Sequence, residues 1–108
     1  MIQKETLLNA ADNTGAKLLR VIGIVGKGNA KYATLGDVVR VSIWKAMPHG
    51  MVKEGSKEYA VVVRTKKEVR RKDGSYIRFD DNAGVIIDKS GNPKGTRILG
   101  PIAQEIKE

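Results

Sequence analysis

Between Arg64 and Arg78 the chain sets seven basic residues, Arg64, Lys66, Lys67, Arg70, Arg71, Lys72 and Arg78, against two acidic ones, Glu68 and Asp73, so this stretch holds +5 of a formal +8. Guanidinium groups are planar forks that match pairs of anionic oxygens, and lysines are compact point charges. The chemistry such a run could do is the binding of phosphate, not a reaction. Asp73-Gly74 sits between strand-like residues and predicts a two-residue hairpin, because both residues tolerate a positive φ. Lys72 then faces Ser75, Arg71 faces Tyr76, Arg70 faces Ile77 and Val69 faces Arg78. Each face mixes arginine with an apolar or aromatic group, and neither suits the buried side of a sheet. The expectation is a basic ribbon at about 66–80 projecting from a body, with Tyr76 as a packing or stacking group. A plainer reading is a solvated edge hairpin whose charges only prevent edge pairing. One dominant sign argues for a ligand, since mixed signs keep a surface soluble just as well.

The remaining reactive residues do not assemble a catalytic or metal-binding set. His49, the only histidine, lies between Pro48 and Gly50, and a single imidazole without cysteine or a carboxylate cluster makes neither a metal site nor a triad. Asp80 and Asp81 are adjacent, so in an extended chain they point apart and cannot share a proton. Gly26 to Lys31 is a flexible basic loop with neither P-loop nor dinucleotide-binding spacing. No enzyme, cofactor or metal is expected.

The elements that must hold the ribbon read as short strands. Ala60 to Val63 and Val85 to Ile87, which flank it, are β-branched clusters suited to a core. Thr6 to Ala10 predicts a first strand and Asp12 to Gly15 a turn. Lys17 to Val25 predicts a second strand, apolar on nearly both sides, which calls for an outer cover such as the terminal segment. In Val38 to Ala46 the buried positions Val39, Val41 and Ile43 alternate with Arg40, Ser42 and Trp44. Trp44 is thereby placed outside with Arg40, either as an interface anchor or under a neighbouring loop. Lys57 to Lys66 predicts a further strand, and Asp80 to Ala83 a turn in which Asp81 or Asn82 bonds backbone groups. Thr96 to Leu99 reads as a short extended piece. Pro101 suits the first turn of a helix, with Ile102 and Ile106 on one face over about 101–107. Turns about every ten residues favour one small all-β barrel domain spanning 1–108.

Composition narrows the partner. The absence of cysteine excludes a disulfide framework and fits a reducing compartment. The N-terminus lacks the build of a secretory signal, and no apolar run approaches membrane-spanning length. A sequence pI near 9.9 points to a polyanion, most commonly nucleic acid. An anionic membrane is disfavoured because no long amphipathic helix is present. The aromatic residues are Tyr32, Trp44, Tyr59, Tyr76 and Phe79, few for a base-stacking platform, which favours recognition of phosphate and shape. An acidic protein is the alternative partner for the basic ribbon.

Five blocks carry a family resemblance: the opening MIQ with ADNTGA at 11–16, Tyr32-Ala33 with Gly36-Asp37-Val38-Val39, AVVVRTKK from Ala60, RRKDGSYIRFDDNAGVII from Arg70, and GTRILGP from Gly95. In order and spacing, across essentially the whole chain, they resemble the bacterial-type L-fourteen family of large-subunit ribosomal proteins. The resemblance implies a closed five-stranded barrel with a projecting ribbon and a short C-terminal helix. It implies a structural protein of a cytoplasmic or organellar-type ribosome that binds large-subunit ribosomal RNA and neighbouring large-subunit proteins. It further implies a bridge to small-subunit RNA across the intersubunit face and a docking site for a ribosome-silencing factor on the side of Thr96 and Arg97. The family usually continues past the position of Glu108 with an apolar helical segment, so a shortened C-terminus is expected, with loss of the contacts made there. Trp44 and the loop at 26–31 are unusual for the family. Gly84, where a small apolar residue or cysteine is more usual, should loosen local packing.

Overall fold

The computed structural model describes residues 2–25, 32–48, 50–70, 73–79, 81–88, 91 and 93–95, with Val69 and Arg70 described by backbone only. Seven strands follow in order: β1 (Leu7–Ala10), β2 (Ala16–Ile24), β3 (Val38–Ala46), β4 (Lys57–Arg64), β5 (Val69–Arg70), β6 (Tyr76–Ile77) and β7 (Ala83–Ile87). Strands β1-β2-β3-β4-β7 close into a barrel, while β5 and β6 pair only with each other. The barrel ladders are antiparallel except β1 with β7, which run parallel and complete the closure. Closure leaves the barrel no unpaired edge.

The period-2 pattern decides what enters the barrel. Leu8, Leu19, Val21, Val39, Val41, Ile43, Ala60, Val62 and Ile86 point inward and are buried. Each large aliphatic side chain so buried contributes about 1.5–3 kcal/mol against solvent. Ile2 and Ala33 close one end through a reciprocal pair of backbone hydrogen bonds of 3.0 and 2.6 Å.

At the start of β2 the Ala11 to Gly15 turn is tied across the closure. The Ala11 amide donates to Gly84 O at 2.9 Å. The chain then leaves the ladder, and the next donor, the Ile86 amide, is taken by Asp12 Oδ2 at 2.8 Å, so a carboxylate continues the parallel ladder where backbone has turned away. Asp12 Oδ1 accepts the Thr14 hydroxyl at 2.8 Å. Gly15 follows with φ +97°, and a Cβ there would lie 2.5 Å from the Gly50 Cα, so two backbones meet where no side chain fits.

Predicted strand ends fall within two residues of those observed, and β3 coincides. The strand covered on both sides is different, however. Leu18 and Arg20 face outward on β2 and are only half-buried, as are Ile22 and Ile24, the last turned onto the core by the register shift between Val21 and Gly23, whereas every residue of β7 is buried. A second cluster, Ala11, Val63, Ala83 and Val85 with Val61 against it, covers the outside of β4 and β7. Beyond the end of β1, Pro93 bridges Ile87 and the Lys94 amide donates to Ile86 O, so the second edge of β7 stays paired. Packing does not loosen at Gly84, since a Cβ there would meet Leu8 Cδ1 at 3.2 Å and Val61 O at 3.3 Å. The expected helix at 101–107 and the extended piece at 96–99 lie outside the described residues.

Candidate nucleic-acid interface

The basic stretch leaves the barrel at the end of β4 and returns at the start of β7, and its root is clamped. Arg64, with 12% of its side chain exposed, places Nε 3.1 Å from Asp81 Oδ1 as an ion pair. A terminal Arg64 nitrogen donates to Asp81 Oδ2 at 3.4 Å, and Asn9 Nδ2 donates to the same oxygen at 2.9 Å. The Lys66 amide donates to Asn82 Oδ1 at 2.8 Å, the predicted side-chain role of the Asp81-Asn82 turn. Thr65, nearly fully buried, donates its hydroxyl to Lys67 O, and its own carbonyl accepts the Phe79 amide. These bonds fix both limbs of the stretch where they meet the barrel.

Beyond the root, β5 and β6 form the hairpin, in a register shifted by one residue from the expectation. Val69 pairs with Ile77 and Arg70 with Tyr76, where the Asp-Gly turn predicts Arg78 and Ile77 as their partners. The cause is local. Among the described non-glycine residues only Glu5 has a positive φ, so Asp73 does not adopt the left-handed conformation that a two-residue turn requires. Asp73 Oδ1 instead accepts the Ser75 amide at 2.9 Å and the Ser75 hydroxyl at 2.6 Å. Gly74 alone takes a positive φ, 89°. A side-chain turn followed by one left-handed glycine makes a longer loop than Asp-Gly alone.

Among the described residues of this region the exposed cations are Lys66, Lys67 and Arg78. Arg78 is 72% exposed at the side chain and lies 3.9 Å from Glu68, a loose pair in solvent. Tyr76 is 65% exposed. Arg70 is placed by its backbone only, and Arg71, Lys72, Thr96 and Arg97 lie outside the described residues, as do His49, Asp80 and the loop at 26–31. The sequence thus located the stretch, but it missed that Arg64 is half-sequestered by Asp81. The signal was available only as an arginine closing one strand and an aspartate 17 residues later opening the next.

A second basic feature was not predicted as a site. On the wall formed by β2, β3 and β4, the Arg20 guanidinium carbon lies 5.5 Å from the centre of the Trp44 ring, and that of Arg40 lies 5.7 Å from the Tyr59 ring. Among the described residues no group of three or more histidine, cysteine, aspartate or glutamate side chains could hold a metal ion. Among the same residues no helix is long and apolar enough to cross a membrane.

The closed five-stranded barrel matches the architecture implied by the five sequence blocks, and comparison with known families decides the matter. The family model of ribosomal protein L14p/L23e matches residues 1–108. The chain belongs to that family. As an L14p/L23e member it is a structural protein of the large ribosomal subunit, working in translation in a cytoplasmic or organellar ribosome, and it is not an enzyme. The absence of a catalytic constellation in the sequence is what that role entails.

Proposed function

We propose that this chain binds large-subunit ribosomal RNA through the β5–β6 arm, which projects from the barrel, with Lys66, Lys67, Arg70, Arg71, Lys72 and Arg78 as phosphate contacts and Tyr76 packing or stacking beside them. Arg64 belongs to the same set at the root, where Asp81 already orients its guanidinium. The observation that carries the reading is a two-stranded sheet kept out of the barrel ladders, flanked by the exposed cations Lys66, Lys67 and Arg78 and anchored on both limbs. A rigid root lets flexible cations be presented with less ordering cost on binding. The shell of the barrel then contacts neighbouring large-subunit proteins. The exposed side of the chain faces the small subunit and helps bridge to its RNA, with Thr96 and Arg97 on the side that a ribosome-silencing factor would cover. The 101–107 segment adds a short helix that lays Ile102 and Ile106 on the outer face of β2.

Neutralising about five phosphates gives a salt slope of about −3.5 to −4.5 in log affinity against log salt, depending on strandedness. Replacing Arg70 and Arg71 together by Glu weakens binding to large-subunit ribosomal RNA sharply and leaves the fold intact. Unchanged affinity, or footprints on the assembled subunit far from residues 64–78, overturns the proposal. Were an acidic protein the true partner, nuclease treatment would leave the chain in its complex.

A further inference from the structure

The wall of β2, β3 and β4 carries outward-facing Arg20, Arg40, Ser42, Trp44, Lys57 and Tyr59, which form a continuous patch by register. Arg40 lies directly across from Tyr59, Ser42 across from Arg20 and Lys57, and Trp44 stands one position beyond Ser42 on the same face. Trp44 is 47% exposed, and Arg40 and Lys57 are exposed. The only acidic residue within the three strands, Glu58, has the opposite parity and is held by Lys94. Among the described residues outside them, Glu5 reaches Arg20, with its carboxylate 3.4 Å from Nε, and Glu54 accepts the Ala46 amide at 3.3 Å at the strand end beyond Trp44. The patch is therefore cationic, and each arginine already lies over an aromatic ring.

We infer that this wall is a second RNA-binding face, one that takes an unpaired strand by stacking a base against the Trp44–Arg20 pair and holding the adjoining backbone phosphate on Arg40 and Lys57. The chemistry differs from that of the arm. The arm, with Tyr76 beside its cations, chiefly offers charge to phosphates whether or not the bases are paired; the wall offers π-faces and guanidinium planes, which need a base out of its stack. Stacked arginine is pre-oriented, so less conformational freedom is lost when a base or phosphate arrives. The low aromatic content that argues against a stacking platform is an average over the chain; the fold gathers two of its five aromatic residues on one wall. Glu5 acts as a brake, because it occupies the guanidinium that the base would meet.

The inference rests on the RNA-binding reading of the chain, and the experiment separates the two. Trp44 is the only tryptophan, so its emission reports on this wall alone. The full chain is titrated with single-stranded oligoadenylate, with an RNA duplex of equal length and with polyglutamate. Saturable quenching of Trp44 by the single strand, and little by the duplex, is expected. Trp44→Leu and Arg40→Ala each weaken binding of labelled single strand fivefold or more at constant salt, with far smaller effects on the duplex, while Glu5→Gln tightens it. Circular dichroism of each variant confirms the fold. Arg70→Glu with Arg71→Glu does the reverse, weakening the duplex while saturating single strand still quenches Trp44. Duplex binding with a silent Trp44 overturns the wall and spares the arm. Failure of both RNAs to bind overturns both. Quenching by polyglutamate equal to that by RNA makes the wall a protein-binding face and overturns the inference.

Discussion

Two ion pairs in the basic stretch have the same chemistry and opposite settings, which makes their comparison decisive. Arg64–Asp81 is 12% and 31% exposed with a shortest contact of 3.1 Å, and Asp81 is further held by Asn9. Arg78–Glu68 is 72% and 54% exposed at 3.9 Å. A hydrogen bond to a charged partner that is shielded from water contributes about 1.5–3 kcal/mol. Removing one partner of a wholly buried pair costs about 3–5 kcal/mol, and the part-exposed Asp81 keeps this pair below that. Exposed pairs are worth about 0.2–1 kcal/mol. A double-mutant cycle of Arg64→Met and Asp81→Ala, read by urea unfolding, should therefore return a coupling of about 1.5–3 kcal/mol. The matching cycle of Arg78→Ala and Glu68→Ala should return about 0.2–0.5 kcal/mol.

The same Asp81→Ala protein discriminates two ideas about the arm. Deleting a carboxylate raises the net positive charge, so long-range attraction alone predicts tighter binding to RNA. If the clamp instead orients the root, the arm loses preorganisation and binding weakens. We expect the second, a loss of about fivefold, equivalent to about 1 kcal/mol. Equal couplings in the two cycles would refute the claim that the root is a clamp. Tighter RNA binding by Asp81→Ala would refute its orienting role.

Two further predictions concern the scaffold and the loop. Asp12→Ala strands the buried Ile86 amide and the Thr14 hydroxyl, and should cost about 3–5 kcal/mol in urea unfolding, whereas Asp12→Asn, which keeps one acceptor oxygen, should cost less than half as much. Gly74→Ala meets no atom within 4 Å but must adopt φ 89°, so it should cost about 1–2 kcal/mol confined to the β5–β6 hairpin, seen as faster amide exchange at Tyr76 and Ile77 with the barrel's melting temperature unmoved.

The barrel was largely legible because its signals are local. Alternation in Val38 to Ala46 is a property of one strand, and the β-branched runs at Ala60 and Val85 announce burial wherever they fold. Whether β2 or β7 is covered twice is not local, since it depends on which residues of other elements pack on the outer face, as Ala11, Val61 and Val63 do beside Ala83 and Val85. The hairpin shows a finer limit. Asp-Gly permits a two-residue turn, but Ser75 offers Asp73 two donors, and that competition shifts every partner by one. Burial of Arg64 was invisible for the same reason as the Arg20–Trp44 and Arg40–Tyr59 stacks: each depends on cross-strand register, which composition averages away.

The barrel's closure limits where a ligand can be met. Inward positions are spent on aliphatic side chains, and the ladders leave no free edge, so a ligand can be met only by outward side chains or by a segment outside the ladders. The chain has both: a wall whose guanidinium groups lie over aromatic rings, and a hairpin outside the ladders flanked by the exposed Lys66, Lys67 and Arg78. Exposed cations contribute little to folding because water screens them, so the arm can be strongly basic at small cost to the barrel. The exception is the one arginine at the junction. There a carboxylate, two asparagines and two backbone amides hold the limbs in place, and at that junction a change made for stability also becomes a change in what the arm can reach.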